Sequence, residues 1–231
     1  MSESLNADAS VPGPGTGKVR RVRARRGEGD RLREEILEAV ERLLIETGDA
    51  EAVSIRAVSQ LVGVTAPSIY RHFADKGAMV RAACTQAWER FDHYLIEAAS
   101  RETDPLLSIK AEALAYLRFA NAHPGEYRVL FMVTTEETAD ALSHNVFDLE
   151  KSEYKSLVHI AEAVESAVRA NLISPIADPM TMATMLWASV HGIASIRIAK
   201  PEVPWPSVED QLEVMFTMLA YGICPRTQPT P

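Results

Sequence analysis

Ser54, Arg56, Thr65, Ser68, Tyr70, Arg71, His72 and Lys76 crowd hydroxyls and bases into one short span, in which Asp75 is the only acid. That set has N–H and O–H donors in excess, the chemistry that meets phosphate oxygens and base edges. Ala66 and Pro67 lie among them and are small enough to allow close approach. A second basic group, Lys18, Arg20, Arg21, Arg23, Arg25 and Arg26, places six cations in nine residues with no acid between them. From Lys18 to Arg81 the balance is +3, whereas from Ala82 onward it is −9, within a net charge of −8 for the 231 residues. A basic end on an acidic body points to a polyanionic partner for that end alone.

Other chemistries find little support. No HExxH, CxxC or nucleophile-elbow pattern occurs, so neither enzyme, metal site nor cofactor is expected. Gly13, Gly15, Gly17 and Lys18 fall short of a phosphate loop, because Pro12 replaces the leading glycine and Val19 the hydroxyl residue. His144 and His159, with Glu150, Glu153 and Glu162, read as a solvated charged face rather than a metal or catalytic group. Cys84 and Cys224 lie too far apart in sequence for a disulfide framework and suit a reducing, cytoplasmic setting. No secretory signal is seen. The longest uncharged run, Pro179 to Ile196, is 18 residues but contains Thr181, Thr184, Ser189, His191 and Gly192. It reads as a helix buried in protein, so no membrane partner is expected.

Placing these residues requires helices. Residues 1–28 are rich in Ser, Gly, Pro and Arg and predict a flexible basic arm. Asp30 is expected to cap a helix with Leu32, Ile36, Ala39, Val40, Leu43 and Leu44 on one face, ending at Gly48. Ser54 is expected to cap a second helix, with Ile55, Val58, Leu61 and Val62 inward and Gly63 as its stop. Thr65 is expected to cap a third, in which Ile69 and Phe73 share a face and Pro67 sits in the first turn. Ala66, Pro67, Ser68, Tyr70 and Arg71 then project outward. Asp75 opens a long helix to about Ser100 carrying Met79, Val80, Ala83, Ala87, Phe91 and Leu95. Further helices are predicted over 104–122, 124–132, 136–171, 178–199 and 207–222, separated by Pro105, Pro124, Pro175 and Pro201 to Pro206. The fold class is all-α. Two short capped helices about a tight Gly63 turn, preceded by a longer one, form a helix-turn-helix whose second helix enters the major groove.

The stretch Val64-Thr65-Ala66-Pro67-Ser68-Ile69-Tyr70-Arg71-His72-Phe73-Ala74-Asp75-Lys76 resembles the recognition segment of TetR-family transcriptional regulators. Ile36 to Val40 and Val53 to Val58 are similar to that family's first two helices, and the likeness runs from Arg31 to about Val80. Pro67 stands where glycine is frequent, and Gly77 where an acid is common. The resemblance implies a homodimer that binds a palindromic double-stranded DNA operator. It also implies a three-helix DNA-binding domain over 29–76, a helical ligand-binding and dimerisation domain over 77–224, and a tail over 225–231. By position, Tyr70, His72 and Lys76 match phosphate contacts, and Ser54, Arg56 and Thr65 are candidate clamps on the backbone. Ala66, Pro67, Ser68 and Arg71 are the base-facing candidates. Arg23, Arg25 and Arg26 would follow the backbone or enter the minor groove.

In the body, Trp187 to Gly192 resembles a Trp-x-x-x-His-Gly signature of a recurrent C-terminal domain in this family. It implies that this helix and the last one build a four-helix dimer bundle, with Trp187, His191, Gly192, Leu212, Met215, Phe216 and Leu219 as candidate seam residues. The expected function is a ligand-responsive repressor released by a small lipophilic effector. Trp88, Phe91, Tyr116, Phe119, Tyr127, Phe131, Met132, Trp187 and His191 are the candidate cavity walls. The rival readings are an enzyme, whose motifs are lacking, and a DNA-binding architectural protein without an effector.

Overall fold

The computed structural model describes residues 28–131 and 155–221, and the regular structure among them is entirely helical. Met132, the basic arm with Arg23, Arg25 and Arg26, and His144, Glu150 and Glu153 lie outside the described residues. The helices are α1 (Glu28–Thr47), α2 (Ile55–Val62), α3 (Ala66–Tyr70), α4 (Lys76–Ala99), α5 (Pro105–Ala122), α6 (Pro124–Phe131), α7 (Lys155–Arg169), α8 (Pro179–Ala199) and α9 (Val208–Tyr221). None of the described helices is long and apolar enough to cross a membrane.

Side-chain caps set several boundaries. Ser54 accepts from the Ala57 N–H, Asp75 from Ala78, Asp104 from Leu106 and Leu107, and Asp178 from Thr181. Each takes up a backbone donor that the first turn would otherwise leave unmet. Gly63 ends α2 at φ +74°, where its N–H donates to the Ser59 carbonyl, and this left-handed turn aims α3 away from α2. Three expectations need correction. Asp30 lies inside α1, which already begins at Glu28. Thr65 precedes α3 but makes no side-chain cap bond. Leu61 is 43% exposed, because the short α2 buries a face centred on Val58 and Leu61 falls on its rim.

Two large apolar cores result, beside a smaller cluster of Leu157, Ala161 and Ala183 between α7 and α8. The first gathers Ile36, Val40 and Leu44 of α1 with Val58, Ile69 and Phe73, closed by Met79, Val80 and Ala83 of α4. The second gathers Phe91 and Leu95 of α4 with Tyr116 and Leu117 of α5, Tyr127 of α6, Val190 of α8 and Leu212 of α9. Two helices enter both cores. α4 runs through each in turn, while α6 places Val129 in the first and Tyr127 in the second. At Gly125, a Cβ would fall 2.7 Å from Ile45 Cγ2, so α6 lies close against the Ile45 side chain of α1. The Arg90 guanidinium, bonded to Glu41, also ties α4 to α1.

α8 is apolar on nearly every side. Its Ala183, Val190 and Ala194 are buried, whereas Met185 and Ile196 are 61% and 49% exposed, with Ala188 and Gly192 exposed between them. On α9, Val214, Met218 and Leu219 are exposed. The residues expected at the seam divide between the protomer core and its surface. Leu212 is buried in the protomer, and Trp187, Met215 and Phe216 pack against the same core. Gly192 and Leu219 are exposed, while Trp187, His191, Met215 and Phe216 are half-buried, His191 with its ring bonded to Tyr116.

Candidate DNA-reading helix and effector cavity

α3 owes its orientation to Ile69 and Phe73, which are buried in the first core. Pro67, Tyr70 and Arg71 are exposed as a consequence, and Ala66 and Ser68 are half-buried beside them. The polar atoms are already ordered into a row. Thr65 Oγ1 lies 3.0 Å from Ser68 Oγ, and Arg71 Nη2 donates to Ser68 Oγ at 3.2 Å. Ser54 and Arg56 are exposed at the start of α2, and the Ser54 hydroxyl is engaged by its cap bond. His72 is half-buried with its ring 6.5 Å from that of Phe73. Lys76 opens α4 and donates to Glu51 Oε2 at 3.0 Å. The donors the sequence singled out from Ser54 to Lys76 thus share one end of the molecule, and none of them belongs to the second core.

Within the second core lies a cavity of about 190 Å³. Trp88, Phe91, Tyr116, Phe131 and Trp187 line it, with Leu130, Leu186 and Val190 among the aliphatic walls. Phe119, Tyr127 and His191 were expected there but do not line it. Phe119 faces a separate surface depression beside Tyr94 and His123. Tyr127 and His191 form a polar cluster: Nδ1 of His191 lies 2.9 Å from the Tyr116 hydroxyl and 2.8 Å from that of Tyr127, and Nε2 lies 3.1 Å from Ser195 Oγ. Burial pushes His191 below its usual pKa and both tyrosines above theirs, so the cluster is held neutral. It joins α5, α6 and α8 behind the aromatic wall.

Two acids stand where the sequence reading placed nothing. Asp92 and Glu112 are 2% and 1% exposed. Glu112 lines the cavity, and its Oε2 lies 2.8 Å from His159 Nδ1. His159 thus belongs to a cross-helix pair and not to a solvated face. Asp92 Oδ1 accepts from the Ser156 N–H at 3.3 Å. The second oxygens, Asp92 Oδ2 and Glu112 Oε1, have no hydrogen-bond partner among the described residues. Burial raises both carboxyls above their usual range, and the bond to Glu112 raises His159. Each acid sits in an apolar stripe, Asp92 after Phe91 and Glu112 between Ile109 and Tyr116, and that interruption was the available signal. Among the described residues no group of His, Cys, Asp and Glu is arranged to hold a metal ion.

The orphaned carboxylate has a stability consequence. With a folded pKa above the ordinary 3.8, Asp92 binds more protons folded than unfolded between those two values. The wild-type protein therefore loses stability as pH rises through that window. Asp92→Asn keeps an acceptor for Ser156 and removes the slope. It is expected to raise stability at pH 8 by about 1 kcal/mol, the gap closing as pH falls towards 4. Thermal denaturation of both proteins across that range measures it.

Comparison with known proteins gives the architecture its place. Residues 36–83 match the family model described as bacterial regulatory proteins of the tetR family, and residues 109–219 match the tetracyclin repressor-like C-terminal domain. The nucleoid occlusion factor SlmA of Marinomonas sp. is 25% identical over 184 residues, 75% of this chain and 89% of that protein. The HTH-type transcriptional regulator TtgR of Pseudomonas putida is 35% identical over 86 residues, 37% of this chain and 40% of that one. Among solved structures, a Rhodococcus protein of unknown function aligns at a TM-score of 0.66 and 22% identity, covering 83% of this chain and 95% of its own. The regulator FadR of Bacillus subtilis, solved with stearoyl-CoA, aligns at 0.66 and 11% identity, covering 83% and 99%. Two family models covering the first core and most of the second, on a helical frame shared with these structures, settle the assignment. The chain belongs to the TetR family of transcriptional regulators.

Proposed function

We propose that the protein is a repressor that binds a palindromic operator as a homodimer and is released by a small lipophilic effector. The observation that carries the reading is the aromatic cavity on α4 and α6, the two helices that also enter the core of the DNA-reading unit. A ligand that reshapes the cavity therefore acts on elements that orient α3. The same family contains proteins named nucleoid occlusion factors, and the cavity is what favours an effector over an effector-free role on DNA.

In this reading residues 29–76 form the DNA-binding domain and 77–224 the effector and dimerisation domain. Ala66, Pro67, Ser68 and Arg71 face bases. Tyr70, His72, Lys76, Ser54, Arg56, Thr65 and the arm residues Arg23, Arg25 and Arg26 hold the backbone. The dimer seam is the exposed face of α8 and α9, with Met185, Gly192, Ile196, Val214, Met218 and Leu219. In the dimer the two copies of α3 must lie about 34–36 Å apart, or a multiple of that, to meet successive major grooves. The effector must prefer another spacing, because equal affinity for both states shifts nothing.

Mobility-shift titration against the intergenic palindrome beside the gene tests the reading. Arg71→Ala is expected to relax preference at one base position, at a cost of about 1–3 kcal/mol for the correct site. Lys76→Ala is expected to weaken specific and random DNA alike and to reduce the salt slope by about 1. If Lys76→Ala instead removes discrimination and spares random binding, its phosphate role is wrong. Once an effector is in hand, calorimetry with and without operator must give the same coupling in both directions, about 1–3 kcal/mol.

A further inference from the structure

We propose that the cavity takes a lipophilic amine, with a protonated nitrogen donating to Glu112 Oε1 and an apolar tail held between the aromatic walls. This rests on the cavity being the effector site and adds the chemical class of the occupant.

The argument starts from the unmet oxygen. Glu112 is 1% exposed and lines the cavity, its Oε2 is taken by His159, and its Oε1 meets no donor among the described residues. A buried acceptor without a donor is costly, and the cost disappears when a ligand brings one. No lysine or arginine is among the described residues lining the cavity. A carboxylate ligand would therefore set a second acid beside Glu112 with no lysine or arginine to receive it, and a neutral ligand would leave His159 as the one charged partner of Glu112 among the described residues. An ammonium group supplies the hydrogen bond and the charge together.

The surroundings suit the same group. Trp88, Phe91, Tyr116, Phe131 and Trp187 turn aromatic rings on the space, and cations are attracted to ring faces. The nearby charges are already matched across helices: His159 of α7 on Glu112, and Lys155, also of α7, near Asp92 of α4. His159 leaves Oε1 unserved, so the place for a further donor is on the cavity side of Glu112. Burial raises the Glu112 carboxyl above its usual range, and an arriving ammonium would favour the ionised form.

The test uses three probes with one tail: 4-phenylbutylamine, 4-phenylbutanol and 4-phenylbutanoate. Quenching of Trp88 and Trp187 fluorescence on the full-length protein at pH 7.5 reports binding. The amine is expected to bind at least tenfold more tightly than the alcohol, with the carboxylate weakest. In Glu112→Gln, checked for native helix content, the advantage of the amine over the alcohol is expected to vanish. If the alcohol or carboxylate equals the amine in the wild-type protein, if the amine does not bind, or if the preference survives Glu112→Gln, the proposal falls. The three-probe ranking needs no variant, so it decides even if Glu112→Gln fails to fold. Operator release is scored separately by mobility shift. An amine that binds without releasing operator argues against the effector reading and leaves the cavity chemistry standing. Release by a neutral compound while amines fail does the reverse.

Discussion

Glutamates at both Val214 and Met218 are expected to leave a folded monomer that has lost about two or more orders of magnitude in operator affinity. The two residues stand at i, i+4 on α9 and are 58% and 46% exposed, so neither contributes much to the protomer core. Glutamate is a good helix former, and the substitutions leave Leu212, Met215 and Phe216 undisturbed on the buried side. On the proposed seam, however, four carboxylates would meet across a two-fold axis in an apolar contact, where unpaired charge is strongly unfavourable. Without the dimer the second half-site no longer benefits from the high effective concentration created by the first. Sedimentation at micromolar concentration should find a monomer, circular dichroism an unchanged helix content, and mobility shift a residual binding close to that for random DNA. A dimer that survives both glutamates would place the seam elsewhere.

The second large effect is expected at Gly125. An added Cβ falls 2.7 Å from a branch methyl of Ile45, which is 39% exposed, so either that side chain turns away or one of the two helices shifts. The contact is remote from α3 and absent from the cavity wall, yet α6 carries Val129 into the DNA-reading core and presents Leu130 and Phe131 to the cavity. A graded series, Gly125→Ala and then Gly125→Val, is therefore expected to change operator affinity progressively, over about 2–30-fold, while probe binding in the cavity changes less. Titration of each variant with operator and with an aryl-alkyl probe checks the split. Equal affinities across the series would leave α4 as the sole mechanical link.

That α6 shares this role was not readable from the sequence. The long helix after Asp75 was legible because apolar residues recur along it from Met79 to Leu95, with Asp92 as an interruption. α6 is short, and nothing in its spacing says that Val129 and Tyr127 point into different cores. The helix-turn-helix was legible because its signals are local: Ser54 and Asp75 as caps, Gly63 as stop, Ile69 and Phe73 one turn apart. The seam was not. α9 carries apolar residues on two sides, Leu212 and Met215 on one and Val214 and Met218 on the other, and periodicity cannot say which side meets its own protomer. The cavity was found in part. Trp88, Phe91, Tyr116, Phe131 and Trp187 line it as expected, but Glu112 and Asp92 acquire their meaning from α7, which is distant in sequence.

Lys76 reaches the DNA-facing end already bonded to Glu51, at 3.0 Å. In the proposed contact, a phosphate that takes this lysine displaces an exposed carboxylate, an exchange that would lower affinity for operator and random sequence alike by no more than about 1 kcal/mol. Base contacts from α3 would then supply the difference between the two. A chromosome presents an overwhelming excess of wrong sites, and a regulator held on them is unavailable to its own. On the proposed reading the Glu51 pair would shorten visits to those wrong sites, leaving more molecules free to find the one sequence that answers them.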